Sequence, residues 1–196
     1  GVGGAGRGAG AVRRRRPRSG ATAATRAGRR PPPALAHMTP DNLAAWVDRS
    51  RENLGTDTLD LVQLHCPETA VYSADGVFDA LDELVADKAI QAYGVSVETC
   101  AEALTAIARP GVASVQIILN PLRLKPLDEV VPAAQAAGIG IITRVPLASG
   151  LLSGRYDSHT VFAADDHRTY NRHGEAFDVG ETFSGVDYDL ALSVVA

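Results

Sequence analysis

Cysteine, methionine and tryptophan are nearly absent from this 196-residue chain, with two, one and one copies respectively. The two cysteines, Cys66 and Cys100, cannot build a disulfide framework, and their separation matches no metal-ligand spacing. No run of about 18 apolar residues occurs, which excludes a membrane-spanning helix on length alone. Nor does any stretch carry the architecture of a signal peptide, so a cytoplasmic location is the expectation. Acidic residues are missing from residues 1–40, which hold nine arginines and a local charge of +9. The remainder carries ten basic and all 23 acidic side chains, a charge of −13 that the net −4 conceals.

Residues 1–20 are almost wholly Gly, Ala, Arg, Val, Pro and Ser around Arg13-Arg14-Arg15-Arg16. Such a segment cannot bury a core. It is read as disordered or weakly folded, with one folded domain over residues 21–196. An arginine arm of this kind suits a polyanion through phosphate neutralisation. Aromatics make up only 5% of the chain, however, and the arm has none. Base stacking therefore has no platform there, and a nucleic-acid partner is not expected. A transit peptide would share the arginines, but the Gly and Pro content opposes an amphipathic helix. The remaining reading is a translation of GC-rich codons out of their ancestral frame.

From Thr39 onward the chain has a repeating pattern. Thr39-Pro40-Asp41 is a helix start, since the hydroxyl caps free N–H groups and proline needs no donor at the first helical position. Leu43, Trp46 and Val47 form the apolar stripe of that helix, and Gly55 is a fitting stop. The run Thr58–Pro67 (TLDLVQLHCP) is a short strand rich in Leu and Val, read as buried on both faces and therefore parallel. Further strand candidates follow at Ile90–Ser96, Val112–Leu119 and Gly140–Thr143. Val77, Leu81, Leu84 and Val85 make one intervening apolar stripe, and Leu127, Val130, Val131 and Ala134 another. The strand spacing of about 25–30 residues is one βα unit per step. A weaker candidate, Ala21–Thr25, makes five strands.

His65 stands at the carboxyl end of the first of these strong strands, just before proline stops it. Active sites of parallel α/β sheets lie at such ends. A buried histidine bonded to backbone would look the same by itself. Ser96 likewise ends its strand, either as a helix N-cap or as a site residue. Gln116 places an amide early in its strand, where an inward polar side chain needs a partner. Cys66 is adjacent to His65, but neighbours on a strand face opposite sides, which makes the two a poor dyad.

Four segments, LDLVQLHCP at 59–67, AYGVS at 92–96, VQIILN at 115–120 and VPLASGLLSG at 145–154, together resemble the aldo/keto reductases. The resemblance implies an α/β protein of the (β/α)8 TIM-barrel type, here incomplete, with about five βα units corresponding to strands three to seven. It implies an NADP(H)-dependent reduction of aldehyde or ketone carbonyls to alcohols, acting on a small-molecule carbonyl substrate. In that family a tyrosine donates the proton, a lysine and an aspartate tune it, and a histidine orients the carbonyl. His65 matches the histidine, and Arg26, after Thr25, stands at the lysine position. Arginine keeps the charge but has a broad fork and a very high pKa, so it replaces a compact ammonium poorly.

On the cofactor side, Ser96 and Gln116 match the nicotinamide carboxamide contacts, while Val97 stands where many relatives carry asparagine. Arg144 occupies a position where many relatives stack an aromatic on the nicotinamide, and an arginine could stack there or meet the pyrophosphate. Leu147, Ser149 and Gly150 match the loop that approaches the pyrophosphate. None of the five tyrosines matches the proton donor, and the resemblance places the aspartate and tyrosine before the matched region. The expectation is therefore an inactive or truncated form, and a non-catalytic nucleotide- or protein-binding module is the alternative. Open barrel edges would also favour self-association. Asp165, Asp166, His167, His173 and Glu175 match no compact ligand motif, so no metal is expected, and residues 157–189 are read as a solvated loop near the barrel mouth.

Overall fold

The computed structural model describes residues 34–175 and 182–195. The strand candidate Ala21–Thr25, Arg26 and the 1–20 segment lie outside the described residues. Four parallel strands form one sheet in chain order: β1 (Leu59–His65), β2 (Ile90–Ser96), β3 (Val112–Ile118) and β4 (Gly140–Arg144). Helices α1 (Pro40–Leu54), α2 (Asp75–Ala86), α3 (Cys100–Ile107) and α4 (Val130–Ala137) alternate with them. Two further helices follow β4, α5 (His167–Tyr170) and α6 (Tyr188–Val195). This is an α/β architecture with the topology of an incomplete barrel.

Local chemistry accounts for the element boundaries. Thr39 Oγ1 accepts from the Asn42 N–H at 3.3 Å to open α1, and Gly55 closes it at φ 66°, a left-handed conformation that glycine takes without cost. Thr99 and Glu102 form a reciprocal capping box at the start of α3. One apolar stripe is corrected by the structure. Leu127 belongs to a short 3-10 turn, Lys125–Leu127, and is 47% exposed, because the true helix begins only at Val130.

The helices cover one face of the sheet. Val95, Val115, Leu81 and Val130 are fully buried in that layer, each contributing roughly 1.5–3 kcal/mol relative to exposure. Tyr93 reaches out of β2 to give its hydroxyl to Asp82 on α2 at 2.7 Å. The opposite face belongs to the barrel interior. There Gln63 Nε2 bonds Ser114 Oγ at 2.7 Å, spanning from β1 to β3 over Gly94 of β2. A bulge adjusts the β2–β3 register between Tyr93 and Gly94, so that Gly94 pairs with Ser114 rather than Ala113. Leu61, on the same face of β1, is 39% exposed, and Gln63 Oε1 is buried without a partner.

A second apolar cluster packs beside the carboxyl ends, built on Ala148, Leu151, Phe183, Tyr188 and Ala191. The expectation of a merely solvated loop over 157–189 is corrected here. Arg168 lies over the Tyr156 and Phe162 rings, and Arg172 over Phe183 and Tyr188. Guanidinium planes thus roof an aromatic cluster.

A β-carbon at position 94 would collide with Ser114 Oγ, the Ser114 carbonyl and the Gln63 amide. We expect Gly94→Ala to destabilise the protein by about 1–3 kcal/mol, measured as a lowered urea midpoint; an unchanged midpoint would show that the Gln63–Ser114 bridge is dispensable.

Candidate functional site

The parallel register sets the site. His65 pairs with Ser96, Ser96 pairs with Gln116, and Gln116 pairs with Ile142, so these residues stand at one level on the barrel face near the carboxyl ends. His65 is exposed, Ser96 fully buried and Gln116 half-buried. Among the described residues, neither the His65 ring nor the Gln116 amide makes a side-chain hydrogen bond. Ser96 is not the cap of α3, since Thr99 takes that place. The cap alternative for Ser96 is thereby removed.

Above this level lies a polar cluster that sequence reasoning had not joined. Arg144, at the end of β4, extends back across the sheet. Its Nη1 donates to Cys66 Sγ at 2.8 Å and to Ser96 Oγ at 3.2 Å, and its Nη2 to Glu98 Oε1 at 2.8 Å. Cys66 Sγ also lies 3.4 Å from Ser96 Oγ. The Ser96 hydroxyl is therefore already engaged by its own chain. Cys66 meets Ser96 and Arg144 and not His65, because its left-handed φ of 45° just after β1 turns its side chain out of the strand's alternation.

The electrostatics follow from this packing. Burial pushes the Cys66 thiol up, a shift opposed by Ser96 and by the Arg144 charge. Burial would also raise Glu98, but hydrogen bonds from Cys66 and Arg144 and the guanidinium charge hold its carboxyl below the usual range. Tyr72, 1% exposed, gives its hydroxyl to the Ser96 carbonyl at 2.8 Å, and burial keeps it protonated far above the ordinary tyrosine range.

The backbone is strained where these groups gather. Cys66 sits at φ 45° directly after β1 and Val145 at φ 53° directly after β4; for a β-branched residue the latter is a marked outlier. Asn120, 5% exposed, braces that turn by donating Nδ2 to the Val145 carbonyl at 2.9 Å and to Ser184 Oγ at 2.8 Å.

The candidate pyrophosphate loop is compact. Gly150 has φ 92°, and a β-carbon there would meet the Tyr156 hydroxyl at 2.6 Å. The N–H groups of Gly150 and Leu152 both donate to the Leu147 carbonyl. Ser149 Oγ donates to the Thr182 carbonyl at 2.9 Å, which ties the post-β4 loop to the following segment. The Leu147 side chain is 53% exposed. Among the described residues no group of His, Cys, Asp and Glu is arranged to hold a metal, and no helix is long and apolar enough to cross a membrane.

The residues at this level suit a ligand that carries an amide. Gln116 offers an unspent donor and acceptor pair, and Ser96, directly opposite it on β2, a hydroxyl held by the Arg144 guanidinium. This donor set fits a nicotinamide carboxamide.

Because Glu98 is depressed in the folded state, its stabilising contribution is present above the unfolded carboxyl value of about 4.3 and is lost as pH falls through the folded value. The urea-stability gap between the parent and Glu98→Gln, about 1 kcal/mol at pH 6 after solvent screening, should narrow as the pH falls below about 4.3. A gap independent of pH would exclude the ion pair as its source.

Comparison with known proteins bears on the family and the fold. The sequence profile of the Aldo/keto reductase family matches residues 5–195. An aldo-keto reductase of Babesia bovis is 31% identical over 153 residues, covering 61% of this chain and 53% of that protein. An aldo-keto reductase of Strobilurus tenacellus is 33% identical over 135 residues, covering 66% and 39%. Among solved structures, the glycerol dehydrogenase of Gluconobacter oxydans superposes with a TM-score of 0.58 at 26% identity, covering 67% of this chain and 40% of that one. The holo form of an aldo-keto reductase from Bacillus halodurans gives 0.57 at 26% identity, covering 65% and 42%. The chain spans about half, or less, of the length of these relatives. With a profile match over nearly its whole length and the fold to accompany it, the chain belongs to the aldo/keto reductase family.

Proposed function

We propose that this chain forms the nicotinamide side of an NADP(H)-dependent carbonyl reductase site acting on small-molecule aldehydes or ketones. The observation that carries the reading is the single level shared by His65, Ser96 and Gln116 across β1, β2 and β3. Gln116 and Ser96 would hold the carboxamide. Leu147, Ser149 and Gly150 would meet the pyrophosphate, with Arg144 between the two regions. When bound, the cofactor supplies the hydride, and the protein supplies position and polarity. The His65 imidazole, open on the barrel face, would donate an N–H to the carbonyl oxygen. Arg26 would supply positive charge in place of the family's lysine.

The Tyr72 and Tyr93 hydroxyls are committed to the Ser96 carbonyl and to Asp82, Tyr156 accepts from Arg168, and Tyr188 donates to the Asp157 carbonyl at 2.9 Å. None of these bonds involves His65. The proposal is therefore that the 196-residue chain binds the cofactor and does not reduce carbonyls, since losing a general acid costs a factor of about 10²–10⁴. Among the described residues β1 and β4 are the outer strands of the sheet, and pairing of such edges would favour self-association.

Titration of NADPH by cofactor fluorescence, run beside a broad aldehyde panel, tests the reading. Saturable binding is expected, weakened about tenfold in Gln116→Leu by the lost amide contacts, with no turnover above background. Absence of saturable binding sinks the cofactor assignment, and robust turnover sinks the claim of inactivity.

A further inference from the structure

Glu98 is the side chain most firmly placed at the barrel mouth without belonging to any motif. Its backbone is anchored from below. Glu102, 9% exposed, accepts the N–H groups of Glu98 and Thr99 on one carboxylate oxygen at 3.0 and 3.1 Å, and the Thr69 hydroxyl on the other at 2.7 Å. From this fixed point the Glu98 carboxylate crosses to Arg144 Nη2 at 2.8 Å. The pair is sheltered, with side-chain exposures of 17% for Arg144 and 32% for Glu98. The same guanidinium is held 3.2 Å from Ser96 Oγ. One positive and one negative charge are thus fixed beside the hydroxyl read as a carboxamide contact.

We infer that Glu98 is a positioning residue that holds Arg144 against Ser96 and balances its charge, so that the pair sets which oxidation state of the nicotinamide cofactor the site prefers. The inference rests on the reading of Ser96 given above. Its basis is Coulombic. An oxidised nicotinamide ring carries a unit positive charge and a reduced ring carries none. A guanidinium beside the carboxamide contact therefore penalises only the oxidised form, and a neighbouring carboxylate offsets that penalty. Removing the carboxylate makes the site one unit more positive whatever else Arg144 touches. At this degree of shelter, a unit charge several ångströms away changes an equilibrium by about five- to tenfold.

The test measures dissociation constants of NADP+ and NADPH for the full chain, Glu98→Gln and Arg144→Met, by calorimetry at low ionic strength. In Glu98→Gln the oxidised-to-reduced ratio of Kd should rise about five- to tenfold, and in Arg144→Met it should fall by a similar factor. Added salt should compress both shifts. A loosened fold would weaken both cofactor forms alike and cannot produce opposite signs. If Glu98→Gln does not fold, as read by circular dichroism, the shift in Arg144→Met decides alone. Ratios that stay unchanged, or move in one direction for both variants, overturn the inference and leave the cofactor site standing. No saturable binding of either form to the parent chain overturns the reading of Ser96 and this inference with it.

Discussion

The register of three parallel strands is the constraint on which the rest depends. Strand side chains alternate between faces, so a slip of one residue would turn Ser96 into the helix layer and bring Val95 or Val97 to the barrel face. The bulge in the β2–β3 pairing decides the matching question for β3. Without it, Gly94 would face Ala113 and Ser96 would face Val115. Gln116 would then stand out of level with His65. A local irregularity in one strand therefore brings Gln116 level with side chains from two other strands, the farthest of them, His65, 51 positions away.

Strain and polarity are concentrated at the same end of the sheet. The left-handed turns at Cys66 and Val145 close β1 and β4 abruptly, and each leaves a polar or charged side chain beside Ser96. Backbone energy of this kind is sustained only where the surroundings over-determine the conformation. Here the helix-side packing of Val95, Val115 and Val130, together with the Asn120 brace, supplies that determination.

Much of the fold was legible in sequence because parallel strands write short apolar runs, although β1 is not buried on both faces and leaves Leu61 and His65 exposed, and because Thr39, Pro40 and Gly55 carry their conformational preferences with them. Leu127 misled because an apolar residue at helical spacing says nothing about where the first helical turn can start, and the 3-10 turn containing Pro126 precedes it. His65, Ser96 and Gln116 were legible as strand ends and by resemblance. The Arg144 tie to Cys66 and Glu98 was not, since it joins residues 78 and 46 positions apart, and no periodicity reports a meeting across a sheet. The aromatic cluster roofed by Arg168 and Arg172 was missed for a related reason. Phe162, Phe183 and Tyr188 follow no strand or helix period, so their stretch looked solvated.

The two oxygens of Glu102 have a mechanical meaning as well. One holds the loop after β2 and the other holds Thr69, in the segment after β1, so a single carboxylate buckles two neighbouring loops at the rim. Neither loop can swing outward without breaking bonds that the other shares. The rim on this side is thereby tied together as one unit.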